Sequence, residues 1–192
     1  MNLADRLTLV RVILAPLFFA VYFLPEYCTG TMFWTVPVLW AIFLVSEITD
    51  VLDGMAARQQ KQASDFGKLF DPFADTLMQV TAFLCFVIDG VFPAVLFLAV
   101  LYREFGILFI RNLMLKKGIA MGARMGGKIK TVSYVAAAAV ALFYVSLQRL
   151  SVGVSVHSIF KTAAVAVFGV AVLFSILSFF DYLFFYRASG RK

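Results

Sequence analysis

Four aspartates lie close together in the chain, beside long apolar stretches. They are Asp50, Asp53, Asp71 and Asp75. An unpaired ionised carboxylate in an apolar helix costs on the order of several kcal/mol, and neighbouring carboxylates also repel one another. A bound cation removes both penalties, and carboxylate oxygens suit hard divalent cations such as Mg²⁺, Mn²⁺ or Ca²⁺. The cluster therefore predicts a site for one or two divalent cations.

The spacing of the aspartates places them in pairs on helix faces. Asp50 and Asp53 are three residues apart, and helical neighbours at this spacing share a face. Asp71 and Asp75, four residues apart, do the same on the next helix. The turn between the two helices is short, so we expect antiparallel neighbours whose four carboxylates converge at one depth. Taken alone, Asp71 before Pro72 is also typical of a helix cap.

Two glycines and an arginine accompany the aspartates. Gly54 and Gly67 leave space where a ligand or a backbone segment can approach closely. Arg58, one turn after Gly54, can offer its guanidinium fork to a phosphate. Two cations held by carboxylates can clamp a pyrophosphate during an in-line displacement, and one carboxylate could instead accept a proton from an attacking hydroxyl. The pattern indicates chemistry on a phosphate-bearing substrate.

Composition places these residues in a membrane protein. The chain has 192 residues, of which 62% are hydrophobic and 15% charged, and its mean hydropathy is +0.93. A soluble domain carries roughly half apolar and about a quarter charged residues. We therefore predict an all-α integral membrane protein with one domain over residues 1–192. The net charge of +6 is better explained by loops that face anionic lipid than by nucleic acid, so no nucleic-acid partner is expected.

Apolar runs predict six transmembrane helices after a short interfacial helix. The N-terminal segment, residues 1–11, has apolar positions at helical spacing and is expected to lie in the membrane interface. His157 falls in a predicted outer loop, and Cys28 and Cys85 make neither a zinc pattern nor a disulfide framework, although their pairing stays open. The spans are predicted near residues 12–24, 33–58, 67–88, 91–108, 132–147 and 159–185, followed by a tail at 186–192.

The distribution of basic residues predicts the orientation. With six spans, 15 of the 17 Lys and Arg residues fall on one side, and only Arg149 and Lys161 fall on the other. Positive charge marks the cytoplasmic side. We therefore expect both termini and the aspartate cluster in the cytoplasm. No cleavage site follows the first apolar run, so a retained helix is favoured over a cleaved signal peptide. The sequence shows no targeting segment, which favours a bacterial inner membrane.

Residues 50–75 also resemble a family signature. They read D-x2-D-G-x2-A-R-x8-G-x3-D-x3-D, which is similar to the signature of the CDP-alcohol phosphotransferases. The resemblance implies a six-helix membrane fold, usually a homodimer, that binds two Mg²⁺ or Mn²⁺ ions. In that family an alcohol attacks the phosphorus next to the lipid or alcohol group, and CMP leaves.

The resemblance also implies roles for individual residues. It makes Asp50, Asp53 and Asp71 metal ligands, and Asp75 a metal ligand or the general base. The site for the CDP-lipid would be lined by Asp50, Gly54, Ala57, Arg58 and Gly67.

Other stretches resemble the phosphatidylglycerophosphate synthases within the family. These are residues 2–16, Arg103-Glu104, Arg111 and residues 127–131, whereas Thr76 and Tyr134 depart from the expected pattern. The resemblance implies transfer of a phosphatidyl group from CDP-diacylglycerol to glycerol 3-phosphate. Phosphatidylglycerol, inositol phosphate and choline remain alternative acceptors.

An acceptor that carries a phosphate needs cations beyond the metals. Four basic residues are predicted on the cytoplasmic side, at the depth of the carboxylates, although ordinary loop charge would explain each one separately. They are Arg103, Arg111, Lys128 and Lys130.

A cation transporter is a hypothesis of another class, since acids within the membrane are common in transporters. Transporters place their sites near the midplane, often in broken helices of repeated halves. Here the acids lie near one face and the sequence shows no repeat. A purely structural membrane protein has no need of four neighbouring aspartates.

Overall fold

The computed structural model describes the backbone of residues 3–60, 65–116 and 125–189. Side chains are described for residues 6–52, 70–114 and 126–187. Within these ranges the chain is helical and has no strand, which confirms the predicted all-α class. The long helices are α1 Leu3–Tyr27, α2 Met32–Gln60, α3 Asp65–Ile88, α4 Ala94–Lys116, α5 Met125–Arg149 and α6 His157–Ser189.

Five of these helices are long and apolar enough to cross a membrane. Helix α4 is the exception, although its 23 residues would extend about 34 Å at 1.5 Å per residue. Its apolar sequence is interrupted by Arg103, Glu104 and Arg111. Arg103 and Glu104 form an ion pair with an N–O distance of 2.8 Å, which lowers the cost of placing both in an apolar surrounding. The helices make the chain a multi-pass membrane protein. The crossing segments are Arg6–Tyr27, Met32–Leu52, Phe70–Ile88, Gly126–Arg149 and Val154–Arg187.

Several helix boundaries differ from those predicted. Helix α1 continues without a break from Leu3, so the predicted interfacial segment and the first span form one helix. Helix α1 also includes Pro25 and ends at Tyr27, three residues beyond the predicted end of the first span. Helix α6 begins at His157, which was predicted in a loop. Prolines and boundary residues are accommodated because an apolar membrane favours continued backbone hydrogen bonding over exposed loops.

The chain forms two compact units. The first unit consists of Met1–Cys85 and Ser146–Val152. In it α1 packs against α2, with Phe18 and Leu39 fully buried. Arg149 contacts both helices, because it donates to Tyr22 O of α1 at 2.7 Å and to Thr35 Oγ1 of α2 at 2.8 Å. The unit also contains both cysteines, which form no disulfide: Cys28 is exposed and Cys85 is buried.

The second unit consists of Phe86–Val145 and Gly153–Lys192. Here α4 packs against α6. A Cβ at Gly106 would lie 2.9 Å from the Phe179 ring, so glycine permits the close approach of these two helices. The rings of Phe92 and Phe168 stack with their centroids 3.9 Å apart. These contacts belong to the apolar interior of the unit, which also contains a buried ionic cluster around Glu104.

Candidate active site

The guanidinium of Arg11 joins two of the predicted metal ligands. Its Nη1 donates to Asp50 Oδ1 on α2, and its Nη2 donates to Asp71 Oδ1 on α3. The Arg11 side chain is 1% exposed, whereas those of Asp50 and Asp71 are 37% and 46% exposed. The structure thus brings together one carboxylate from each aspartate pair, around a buried cation on α1.

Thr8 adds a second donor from the same face of α1. It precedes Arg11 by three residues and is 3% exposed. Its Oγ1 donates to Asp71 Oδ1 at 3.2 Å. Thr8 and Arg11 were not among the site residues predicted from the sequence. The sequence did carry one indication of this role. An arginine within an apolar helix is costly to bury unless an acidic residue elsewhere in the chain pairs with it.

Asp75 is held by the next turn of its own helix. Gln79, four residues further along α3, donates from Nε2 to Asp75 Oδ1 at 3.0 Å. Gln79 is 9% exposed and Asp75 is half-buried. A hydrogen bond from a buried amide fixes the direction in which a carboxylate presents its oxygens.

Glu47 is a further acid of this region that was not among the predicted site residues. It lies three residues before Asp50 on α2 and is half-buried. It interacts electrostatically with the charges of Asp75, Asp50 and Arg11. The spacing of Glu47 from Asp50 equals that of Asp50 from Asp53, so helical periodicity could have identified it.

A separate ionic cluster lies inside the second unit, around Glu104. This carboxylate accepts hydrogen bonds from Arg103 Nη1 at 2.8 Å and is 3.0 Å from Lys130 Nζ. All three residues are buried. A buried carboxylate is tolerated when cations pair with it and complete its hydrogen bonds, and here α4 and α5 supply them.

Helix α6 completes this ionic cluster. Arg103 donates to Ser175 O and to Ser178 Oγ, each at 3.3 Å. Tyr134 donates to Ser175 Oγ at 2.5 Å, and the Lys130 ammonium lies 4.4 Å from the centre of the Tyr134 ring. Tyr134, one of the two departures from the family pattern, is therefore part of the cluster that holds Lys130.

The other two predicted acceptor residues also lie in the second unit. Arg111 is half-buried and donates from Nη2 to Tyr182 Oη at 3.5 Å. Its guanidinium carbon lies 5.8 Å from the centre of that ring. Its buried Nε has no hydrogen-bond partner among the described residues. Lys128 is exposed on α5. The structure thus brings Arg103 and Lys130 together on the carboxylate of Glu104. Arg111 instead contacts Tyr182, and Lys128 is exposed.

Comparison with known proteins identifies the family. Residues 1–177, which are most of the chain, match the sequence model of the CDP-alcohol phosphatidyltransferase family. The chain belongs to the CDP-alcohol phosphatidyltransferase family. Members of this family transfer substituted phosphate groups and depend on a divalent metal.

Three curated proteins illustrate how similar this CDP-alcohol phosphatidyltransferase is to named relatives. It is 38% identical to a CDP-diacylglycerol–glycerol-3-phosphate 3-phosphatidyltransferase of Treponema pallidum, over 95% of this chain and 88% of the relative. A probable phosphatidylglycerophosphate synthase of Mycobacterium tuberculosis is 34% identical, over 95% and 80%. A CDP-diacylglycerol–glycerol-3-phosphate 3-phosphatidyltransferase of Bacillus subtilis is 30% identical, over 94% and 93%.

Five of the predicted site residues of this CDP-alcohol phosphatidyltransferase have side chains outside the described part of the structure. Four fall within the bounds of α2 and one within those of α3. They are Asp53, Gly54, Ala57, Arg58 and Gly67.

The described carboxylates have the chemistry that the family's metal requires. Oxygen donors suit Mg²⁺ and Mn²⁺, and Asp50 and Asp71 already share one cation, Arg11. Much of each carboxylate is exposed and so accessible to a second cation. Among the side chains that the structure describes, no group of three His, Cys, Asp or Glu residues is arranged to hold a metal; Asp53 is not among them. The oxygen donors that Asp50 and Asp71 present fit a divalent cation.

Proposed function

We propose that this CDP-alcohol phosphatidyltransferase transfers a phosphatidyl group from CDP-diacylglycerol to glycerol 3-phosphate. The products would be phosphatidylglycerophosphate and CMP. The observation that carries the proposal is the convergence of Asp50 and Asp71, from two helices, on one cation. The choice of substrates is supported by relatives named for this reaction that are 30–38% identical over 94–95% of the chain.

The proposed reaction is an in-line displacement at phosphorus. The hydroxyl oxygen of glycerol 3-phosphate attacks the phosphorus next to diacylglycerol, and the bond from that phosphorus to the CMP oxygen breaks. Asp75 accepts the proton of the attacking hydroxyl, and Gln79 orients the carboxylate that receives it. Because this hydrogen bond is already made, the base needs little reorientation when the acceptor arrives.

The aspartates are proposed to hold two Mg²⁺ or Mn²⁺ ions, with Asp50, Asp53, Asp71 and Asp75 as ligands. When bound, a divalent cation neutralises charge on the phosphate oxygens of the substrate. The proposal is supported by the oxygen donors that α2 and α3 bring together and by the metal dependence of the family. The CDP-lipid is proposed to contact Asp50, Gly54, Ala57, Arg58 and Gly67, on the strength of the signature over residues 50–75.

The phosphate of the acceptor is proposed to bind Arg103, Arg111, Lys128 and Lys130. The cluster around Glu104 contributes two cations and one carboxylate, which leaves a net positive charge. Arg111 adds a guanidinium whose Nε has no hydrogen-bond partner among the described residues. Arginine binds phosphate through several donors at once, so such a group favours an anionic acceptor over a neutral alcohol.

The setting of the reaction is proposed to be the bacterial inner membrane. The excess of basic residues on one predicted side supports cytoplasmic termini and a cytoplasmic active site. The protein is proposed to work as a homodimer of single-domain chains spanning residues 1–192, among lipids that include its own substrate and product. The apolar character of five helices supports lateral access of CDP-diacylglycerol from the bilayer.

The proposal is tested by CMP release from purified protein given CDP-diacylglycerol and Mg²⁺ or Mn²⁺. Metal-dependent release that requires glycerol 3-phosphate is the expected result. Asp75→Asn serves as the control, and it should remove turnover while sparing the fold. If CMP were released only with phosphatidylglycerol, inositol phosphate or choline, that compound would be the acceptor and glycerol 3-phosphate would be wrong. Absence of release with every acceptor, from folded protein, would contradict the proposed activity.

A further inference from the structure

We propose that Arg11 is a positioning residue for the metal ligands of this enzyme. Its guanidinium holds Asp50 and Asp71 in the arrangement that a divalent cation uses, without itself contacting substrate. The inference rests on the proposed function, because it concerns the carboxylates proposed to hold the metal.

The burial of Arg11 explains why its guanidinium contacts two carboxylates. Its side chain is 1% exposed. Arginine stays protonated in proteins, so a buried guanidinium needs anionic partners. Asp50 and Asp71 are such partners, and they come from two other helices. Arg11 therefore couples the position of α2 to that of α3 at the depth of the aspartates.

The planar shape of the guanidinium suits it to this role. Nη1 binds one carboxylate and Nη2 binds the other, in each case through Oδ1. The two nitrogens lie at a fixed separation in a rigid plane, so the spacing of the two carboxylates is set as well. The single nitrogen of a lysine carries the same charge but does not impose this spacing.

The exposure of the two carboxylates indicates that Arg11 positions them and does more than neutralise their charge. Asp50 and Asp71 are 37% and 46% exposed, while Arg11 is almost wholly buried. Arg11 thus contacts the carboxylates from the protein interior and leaves their exposed parts accessible. Thr8 strengthens the interior side, because its Oγ1 lies 3.2 Å from Asp71 Oδ1. Helix α1 supports the metal ligands in the way that outer-shell donors orient ligands in other metal sites.

The opposing hypothesis is that Arg11 competes with the metal for the carboxylates. The two hypotheses differ for substitutions that keep or remove the charge. Positioning predicts that Arg11→Lys and Arg11→Gln both weaken metal binding, by about tenfold or more, as outer-shell substitutions do. Competition predicts that Arg11→Gln binds metal more tightly and that Arg11→Lys stays close to the wild type.

The experiment measures Mn²⁺ affinity of the full-length protein in detergent, by the loss of the free Mn²⁺ signal in electron paramagnetic resonance. Arg149→Lys is the matched control, because Arg149 binds Tyr22 O and Thr35 in the same unit and should leave the affinity unchanged. Thermal unfolding in EDTA verifies that each variant is folded. Weaker binding in both Arg11 variants supports the proposal; tighter binding in Arg11→Gln, or unchanged binding in both, overturns it.

A milder variant keeps the proposal testable if the Arg11 variants fail to fold. Thr8→Val removes one donor to Asp71, because it replaces the hydroxyl by a methyl group while the side chain keeps a similar size. We expect a severalfold loss of Mn²⁺ affinity, and an unchanged affinity would overturn the supporting role of α1. CMP release by the wild type is measured separately. An active wild type with Arg11 variants that bind Mn²⁺ normally would contradict only the role of Arg11, whereas an inactive wild type would contradict the proposed function.

Discussion

Gln79 donates a hydrogen bond from Nε2 to Oδ1 of Asp75 at 3.0 Å, across one turn of helix α3. The proposed base therefore has a neighbour that fixes the direction of its carboxylate. Because both residues belong to one helix, this arrangement does not depend on how other helices pack. The same helix carries Asp71 one turn earlier, which places a proposed ligand and the proposed base on one face.

Gln79→Leu is expected to lower kcat for CMP release by about tenfold. A hydrogen bond to a charged group contributes roughly 1.5–3 kcal/mol, and part of that is lost when the base must orient itself. Initial rates at saturating glycerol 3-phosphate measure the effect. Gln148→Leu, at an exposed glutamine of the first unit, is the matched control. A Gln79→Leu enzyme with the wild-type kcat would show that this hydrogen bond does not orient the base.

Removal of the metal is expected to stop the reaction reversibly. EDTA should abolish CMP release by the wild type, and Mg²⁺ or Mn²⁺ should restore it, because carboxylate oxygens bind these ions. Asp71→Asn should lower the restored rate by on the order of a hundredfold or more, since an amide is a weaker ligand than a carboxylate. Glu26→Gln, at an exposed acid at the end of α1, should behave as the wild type. Full recovery of Asp71→Asn in excess Mn²⁺ would exclude Asp71 as an essential ligand.

Glu104→Gln is expected to destabilise the second unit by about 3–5 kcal/mol. The substitution leaves Arg103 and Lys130 buried beside each other without the carboxylate that both contact, and unpaired buried charges carry penalties of this size. Unfolding in detergent, followed by circular dichroism, measures the loss. Adding Lys130→Met to Glu104→Gln removes one of the two cations and should recover part of the stability. If Glu104→Gln unfolded like the wild type, the cluster would contribute nothing to stability.

The two native cysteines allow the proposed orientation to be tested without engineered sites. Cys28 is exposed in the turn between α1 and α2, whereas Cys85 is buried. If the N-terminus is cytoplasmic and α1 crosses the inner membrane, this turn lies on the periplasmic side. A membrane-impermeant maleimide should therefore label the protein in intact spheroplasts. Cys28→Ser should remove the labelling, because Cys85 is inaccessible. If the wild type were labelled only after the membrane is broken, the protein would have the orientation opposite to the one proposed.

Local sequence patterns determined the helical class and most of the element boundaries. Apolar runs of membrane-crossing length predicted α2, α3 and α6 to within a few residues, because such runs depend on composition alone. The same patterns failed where the helix continues through a polar or proline-containing end. Helix α1 extends through Pro25, and α6 begins already at His157, because a continued helix satisfies the backbone hydrogen bonds that an apolar membrane leaves without water.

Spacing also placed Asp71 and Asp75 on one helix face, since helical periodicity relates residues of a single element. The tertiary structure alone decided which side chains from distant elements meet. Arg11 is separated from its partners by 39 and 60 positions in the sequence. Lys130 reaches Glu104 from a different helix. Such contacts depend on how each helix is rotated about its axis and crosses its neighbours, and the periodicity of one helix carries no information about either.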